Sequence, residues 1–448
     1  MTVSIRPRSL ALLALGVLIA TAAPRVALPQ RASAVTTRAP ALSPQERRIR
    51  DWIDAHQGDE VALLERAVDI PSGTMNKAGV RRVGDLLRQE LDSLGFTTRW
   101  IAMPDSVNRA GHLYAERKGT KGKKVLLIGH LDTVFETPGT PFQRHDSIGT
   151  GPGSNDMKGG DVAIIYALKA LRQTGALNGA QIVVLFSGDE ESAGSPLSVS
   201  RGDLIDAGKR ADVALAFEGG SAGTATVARR GASGWILHVN ARQAHSSGVF
   251  SPGAGDGAIY EAARILDGWR RELSSQQYLT FNPGVILGGA QVTYDSVRNA
   301  GTASGKLNII APLAVVHGDL RFLSDSQLQA ARARMRDIAT HDNLPQTSAT
   351  VEFFDEYPAM SPTAANYALL ARFDSVSQAL GYGPVQAFDP GRRGAGDISF
   401  VAPYVTGLDG LGVNGTGAHT PDETVNLNSL RMSTERAAVL LYRLTRSR

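Results

Sequence analysis

The chain has 448 residues, more than a single hydrophobic core comfortably organises, so two domains are expected. Charged residues make up 20% and hydrophobic residues 42%, which excludes a disordered chain, and a net charge of only +4 from scattered basic residues argues against a nucleic-acid partner. There is no cysteine, which excludes disulfides, thiolate metal ligands and lipid attachment through an N-terminal cysteine, and leaves His, Asp and Glu to hold any metal.

In chain order, Arg6 and Arg8 precede an apolar run from Leu10 to Ala23 that contains Ala20-Thr21-Ala22, the pattern of a signal peptide over residues 1–22. The run is shorter than the roughly 20 residues of a membrane span, and no later segment is apolar enough for one. An exported protein, periplasmic or secreted and without stable membrane association after cleavage, is expected. Residues 23–44, with Pro24, Pro29 and Pro40, read as a flexible spacer. Helical spacing then sets in with Ile49, Trp52, Ile53, Val61, Leu63 and Leu64, and again with Val80, Val83, Leu87, Leu91 and Leu94 before Gly95.

Buried strands are predicted at Val125–Ile128, Ile182–Phe186 and Val213–Phe217, with a helix over Val162–Leu171. Strands alternating with helices imply a mostly parallel sheet covered on both faces, an α/β class. The pattern changes after Ala225: strands at Trp235–Asn240, Val285–Tyr294 and Leu307–Phe322 surround helices at Ala258–Leu273 and Ser326–Ile338. This reads as an inserted α+β domain of β-α-β-β-α-β order. The expected division is 45–225 for the first part of a catalytic domain, 226–342 for the insert and 343–448 for the return to the catalytic domain.

The chemistry-bearing residues follow the predicted parallel strands, where ligands bind in such sheets. In Gly129-His130-Leu131-Asp132-Thr133 the imidazole and carboxylate share one face of an extended chain, the spacing of a metal ligand and the group that orients it. Asp156 lies in a loop leading into the next helix, Glu190 and Glu191 end the second strand, Glu218 ends the third, and His419 follows the last. If these residues converge, the carboxylates of Asp132, Asp156, Glu190, Glu191 and Glu218 crowd one cleft and need compensating charge. Two divalent cations supply it, and the oxygen and nitrogen donor set suits zinc, with cobalt or manganese as alternatives.

The motifs His130-Leu131-Asp132-Thr133-Val134, Asp156-Met157-Lys158-Gly159-Gly160 and Asp189-Glu190-Glu191, in this order, resemble the zinc metallopeptidase family of glutamate carboxypeptidase, aminoacylase and succinyl-diaminopimelate desuccinylase. The resemblance covers roughly residues 45 to 448. It implies a zinc-exopeptidase-like fold whose insert is a lid and dimerisation domain. It further implies that Asp156 bridges two zincs, with His130 and Glu218 completing one site and Glu191 and His419 the other. Asp132 would orient His130, Glu190 would be the general base, and the Asp156–Met157 peptide would be cis.

Ala244-His245-Ser246-Ser247 resembles the lid motif whose histidine enters the partner subunit's active site in a homodimer, and Asn308 and Arg321 resemble the family's substrate-binding Asn and Arg. A guanidinium grips a carboxylate through two hydrogen bonds, so a substrate with a free carboxylate is implied. Gly394 and Gly396, in Gly394-Ala395-Gly396-Asp397, resemble the loop near that carboxylate, with Arg392 and Arg393 just before it.

The activity expected is hydrolysis of an amide bond next to a free carboxylate, on a peptide (glutamate-carboxypeptidase-like) or on an N-acyl amino acid (aminoacylase-like). Glu rather than Asp at position 218 resembles those two branches more than the aminopeptidases. A catalytically silent metal- or peptide-binding relative is the rival from a different class, against which Glu190 beside the ligands argues. A serine hydrolase would need a nucleophile elbow that is missing, and Gly301–Lys306 is too short for a phosphate loop.

Overall fold

The computed structural model describes residues 41–446 apart from residue 297; the expected signal peptide and the spacer up to residue 40 lie outside the described residues. Ser43 opens the first helix with a capping box: its hydroxyl accepts from the backbone N–H of Glu46, whose carboxylate accepts from the N–H of Ser43 at 2.7 Å. The chain breaks at His56, so the first helical stretch is two helices, Pro44–Ala55 and Gln57–Val68. Ile49, Ile53, Leu63 and Leu64 face inward from them.

A mixed sheet runs in the spatial order Thr97–Ile101, His112–Arg117, Ala180–Ser187, Lys121–His130, Val213–Ala216, Thr406–Leu408. The last four strands are mutually parallel, and His112–Arg117 runs against both of its neighbours. Alternate residues of the central strands go to different cores. Val125, Leu127, Val184 and Leu215 pack against helices that include Lys158–Gln173 and Leu427–Leu444, while Leu126, Ile128, Leu185 and Ala214 pack against Leu204, Ala207 and Val401 on the other face. With both faces covered, the strands read as unbroken apolar runs. From Lys121–His130 the chain crosses to one side, to Ala180–Ser187, and then to the other, to Val213–Ala216. The carboxyl end of Lys121–His130 is therefore the switch point at which a crevice opens.

The insert is a four-stranded antiparallel sheet in the order Thr280–Gly289, Leu313–Phe322, Gly231–Ala241, Thr347–Asp355, with helices Ala258–Leu273 and Asp325–Thr340 between strands in the predicted β-α-β-β-α-β sequence. It has its own core of Trp235, Leu237, Val239, Ile265, Trp269, Val316 and Met335.

Three expectations are corrected here. The boundary at residue 342 falls too early, because Thr347–Asp355 pairs along Gly231–Ala241 as the outer strand of this sheet. The stretch Val285–Tyr294 is not one strand: Gln291–Asp295 turns away to pair with Ala300–Ser304 in an extra hairpin. The strand expected from Leu307 begins only at Leu313, and Leu307 itself is fully exposed.

Trp269 anchors the insert's core. It is wholly buried, its ring meets Trp235 edge-on at 4.9 Å, and its Nε1 donates to the Met335 carbonyl at 3.0 Å. Trp269→Ala is expected to cost about 3–5 kcal/mol, read as a lower midpoint in denaturant unfolding.

Candidate active site

His130 is the last residue of its strand, Glu190 and Glu191 follow Ala180–Ser187, Glu218 follows Val213–Ala216, and His419 follows the short strand Gly415–Thr416. Asp156 stands just before helix Lys158–Gln173. That helix comes close because of the glycine pair in its motif. A Cβ on Gly160 would lie 2.0 Å from the Phe217 carbonyl oxygen, and one on Gly159 would lie 2.7 Å from that of Ser154. The Asp156–Met157 peptide is cis. His419 takes a left-handed φ of 65°, a costly conformation for a residue with a Cβ and one that clusters at functional sites.

These side chains converge on Asp156. Its Oδ1 lies 3.2 Å from His130 Nε2, and its Oδ2 lies 3.2 Å from His419 Nε2. Glu218 Oε1 is 3.7 Å from His130 Nε2, and Glu191 Oε2 is 3.2 Å from His419 Nε2. Two triads result, His130 with Asp156 and Glu218, and Asp156 with Glu191 and His419; in each the ligand atoms lie within 4.8 Å of one another. One carboxylate serves both, with one oxygen for each.

Crowding shifts the protonation of the cluster. Burial, and then the charge of Glu218, drives Glu190 well above the usual carboxylate range. Burial, with Asp156 adding, lifts Glu191 to about 8 and Glu218 to about 7. Burial works in the same direction on Asp156, but hydrogen bonds from His130 and His419 outweigh it and hold that carboxyl below its ordinary value. Burial also opposes charge on His130, yet Asp132 and Asp156 keep its pKa well raised; His419 rises to about 9, chiefly through Asp156. Protons here supply positive charge that divalent cations would supply better. Glu191 Oε1 is buried with no hydrogen-bond partner, an acceptor of the kind a cation satisfies. The residues fit two divalent cations with nitrogen and oxygen ligands.

Behind the candidate ligands, Asp132 meets both His130 and the turn that carries Glu190 and Glu191. His130 Nδ1 lies 3.0 Å from the backbone carbonyl of Asp132 and 3.5 Å from its carboxylate. The carboxylate itself accepts from the N–H groups of Glu190 (3.0 Å) and Glu191 (3.1 Å) and from the Thr74 hydroxyl (2.6 Å), tying two strand ends together. Glu423, which the sequence reading passes over, accepts from the N–H groups of Gly153, Asn155 and Asp156 at 2.8–2.9 Å and staples the bridging loop in place. Its one signal in the sequence is its place just after His419 in the same loop.

The remaining predicted residues lie on the insert and on the glycine-rich loop. Arg321 faces Ala232 and Thr280 at the end of the insert's sheet where Gly231–Ala241 begins, and its Nε donates to Asp319 at 2.9 Å. His245 is exposed at the far end, paired with Ile309, and the N–H of Ser246 donates to the Asn308 carbonyl at 2.9 Å. Thus His245 and Asn308 come together, while Arg321 is separated from them by the strand length Ala232–Asn240, about 26 Å at ~3.3 Å per residue. Gly396 is buried where a Cβ would strike the Arg229 guanidinium, and Gly394 is open to solvent.

A largely parallel sheet whose carboxyl edge carries two histidine–carboxylate triads on a shared aspartate is the scaffold of a metal-dependent peptidase or amidohydrolase. The chain belongs to Peptidase family M20/M25/M40, which it matches over residues 126–443. It is 27% identical over 393 residues to carboxypeptidase G2 of Pseudomonas sp., covering 85% of this chain and 88% of that one. To succinyl-diaminopimelate desuccinylase of Gluconacetobacter diazotrophicus it is 26% identical over 395 residues, covering 86% and 96%. The fold matches that of the Bacillus subtilis YXEP protein, a dinuclear metal binding peptidase of the M20 family, with a TM-score of 0.60 at 16% identity over 88% of this chain and 100% of that one.

Metal and protons compete for Glu191, Glu218 and His419, so metal uptake near pH 7 is expected to expel protons, and the apparent affinity should climb with pH up to about 9. Calorimetric titration of chelator-treated protein with zinc, in buffers of different ionisation enthalpy, measures the release; a heat independent of buffer contradicts it.

Proposed function

We propose that the protein is an exported two-zinc metallocarboxypeptidase, which cleaves the amide bond next to a free carboxylate as glutamate carboxypeptidase does. The observation that carries this reading is Asp156 facing both triads, with Glu190 next to Glu191 on the same strand-end turn. Similarity to carboxypeptidase G2 favours a peptide-like substrate, and similarity to the desuccinylase supports N-acyl amino acids as the second reading. Both share one bond type. The basic and apolar leader up to Ala23 is what supports export.

When bound, the two cations lower the pKa of water and polarise a carbonyl. Glu190 takes the proton of the attacking water and hands it to the leaving nitrogen. Arg321 grips the substrate carboxylate in a two-pronged hydrogen bond. His245, with Asn308 beside it, donates to the oxyanion that forms on the scissile carbonyl. Asp132 holds the backbone of Glu190 and Glu191. The exposed Gly394 leaves room for the substrate's carboxylate end to approach the loop.

Because Arg321 and His245 lie at opposite ends of one sheet, a single small substrate cannot meet both from one chain. The active unit in our reading is a homodimer in which each chain lends His245 to the other. Phe250, Ile259, Tyr260, Ile286 and Leu307, all exposed on the insert, support such an interface.

Glu190→Gln is expected to keep both metals and lose about 100- to 10,000-fold in turnover on peptidyl and N-acyl glutamate substrates, since it removes a proton carrier and no ligand; near-normal turnover would assign the base elsewhere. Mixing that variant with His245→Ala under subunit exchange should restore activity, because one site in each mixed dimer then has both residues. Proven exchange without recovery rules out the shared site.

A further inference from the structure

The hinge between the insert and the parallel sheet reaches the backbone of Glu190. Two segments make this hinge. The outgoing Arg229–Ala232 pairs with the returning Tyr357–Met360 through Ala232 N–H to the Tyr357 carbonyl at 2.8 Å and a mutual pair between Arg229 and Met360. From the returning segment the Tyr357 hydroxyl lies 2.9 Å from the Glu190 carbonyl oxygen and 3.1 Å from Arg201 Nη2. A guanidinium only donates, so the hydroxyl accepts from Arg201 and its single hydrogen goes to Glu190. Burial keeps that hydroxyl protonated, since it raises the pKa of Tyr357.

Arg201 is an immovable base for this contact. It is wholly buried, held by Asp189 Oδ1 at 2.5 Å and Asp397 Oδ1 at 2.7 Å, and its Nη2 also donates to the Asp189 carbonyl at 3.0 Å. Asp397 is tied in turn to the Ser187 hydroxyl at the end of the strand that leads to Glu190. Glu190 is thereby clamped on both sides of its Cα, its N–H by Asp132 and its C=O by Tyr357. The first clamp belongs to the parallel sheet and the second to the connecting segments, so the aim of the carboxylate is set partly by the chain that joins the insert to the sheet.

We propose that Tyr357 is a positioning residue that fixes Glu190 from the hinge, an inference that rests on Glu190 being the general base. Tyr357→Phe keeps the ring and its packing against Phe400, 5.0 Å away, and removes the hydrogen bond. It is expected to lower kcat by about 10- to 100-fold with KM within about twofold and the bound zinc unchanged. A hydroxyl that served only folding would lower the thermal midpoint and leave kcat of the folded protein intact. Because Tyr357 acts through Glu190, adding Y357F to E190Q should cost less than about threefold more. Rescue of turnover by 4-aminophenylalanine at position 357, which restores a donor, supports the proposal and covers the case in which Y357F folds poorly. Wild-type kcat in folded Y357F beside an inactive E190Q overturns it, as does an equal further loss in both backgrounds. An active E190Q removes the base assignment itself, and the positioning role with it.

Discussion

The site depends on one carboxylate that faces two ways. Asp156 offers an oxygen to His130 and the other to His419, and each of those histidines faces a glutamate as well. Like charges this close are tolerated only with compensation, and burial, with the charge of Asp156 adding to it, moves Glu191 and Glu218 toward neutrality, to about 8 and about 7. One set of contacts keeps Asp156 where both sides can share it. Glu423 holds its loop by three backbone N–H groups, and Gly159 and Gly160 let the following helix press against the ends of Ser154 and Phe217.

The parallel sheet explains why residues so distant in sequence meet. The strands Lys121–His130, Ala180–Ser187 and Val213–Ala216 end side by side, with the first in the middle. A residue just beyond each end is therefore within one strand spacing or two of His130. The insert obeys the opposite logic. Its strands run antiparallel, so what stands at one end of the sheet is a full strand length from what stands at the other, and Arg321 and His245 are divided in that way.

How legible each part was in the sequence follows from the same physics. Strands buried on both faces leave uninterrupted apolar runs, and His130, Glu191 and Glu218 stand at or just beyond the ends of those runs, so both could be read together. Thr347–Asp355 could not. It is an outer strand with Thr350, Glu352 and Phe354 exposed and only alternate residues turned inward, which gives a weak signal, and the insert's far boundary was set too early. The hairpin Gln291–Asp295 with Ala300–Ser304 is largely exposed, so nothing in its pattern marks it. Leu307 misled for the converse reason, being apolar yet fully exposed. Glu423 and Tyr357 act on backbone groups, Glu423 on N–H donors and Tyr357 on a carbonyl, and such bonds impose no spacing that a sequence displays.

The two layers of charge around Glu190 are held by different means, and the difference separates geometry from titration. Beneath it, Arg201 pairs with both Asp189 and Asp397 in full burial, and those neighbouring charges outweigh burial and raise its pKa further. A guanidinium in that setting stays charged at any pH at which the protein is folded. Above it, Glu218, Glu191 and His419 shift to about 7, about 8 and about 9, where protons come and go. A change of pH therefore acts on the two triads while the anchor under Glu190 keeps its charge. Replacing Arg201 by a titratable cation of similar length would merge the two layers, because a buried amine readily loses its proton and its forked hydrogen bonds are gone. The arginine suits this position because it binds two carboxylates and a carbonyl at once and has no accessible neutral form.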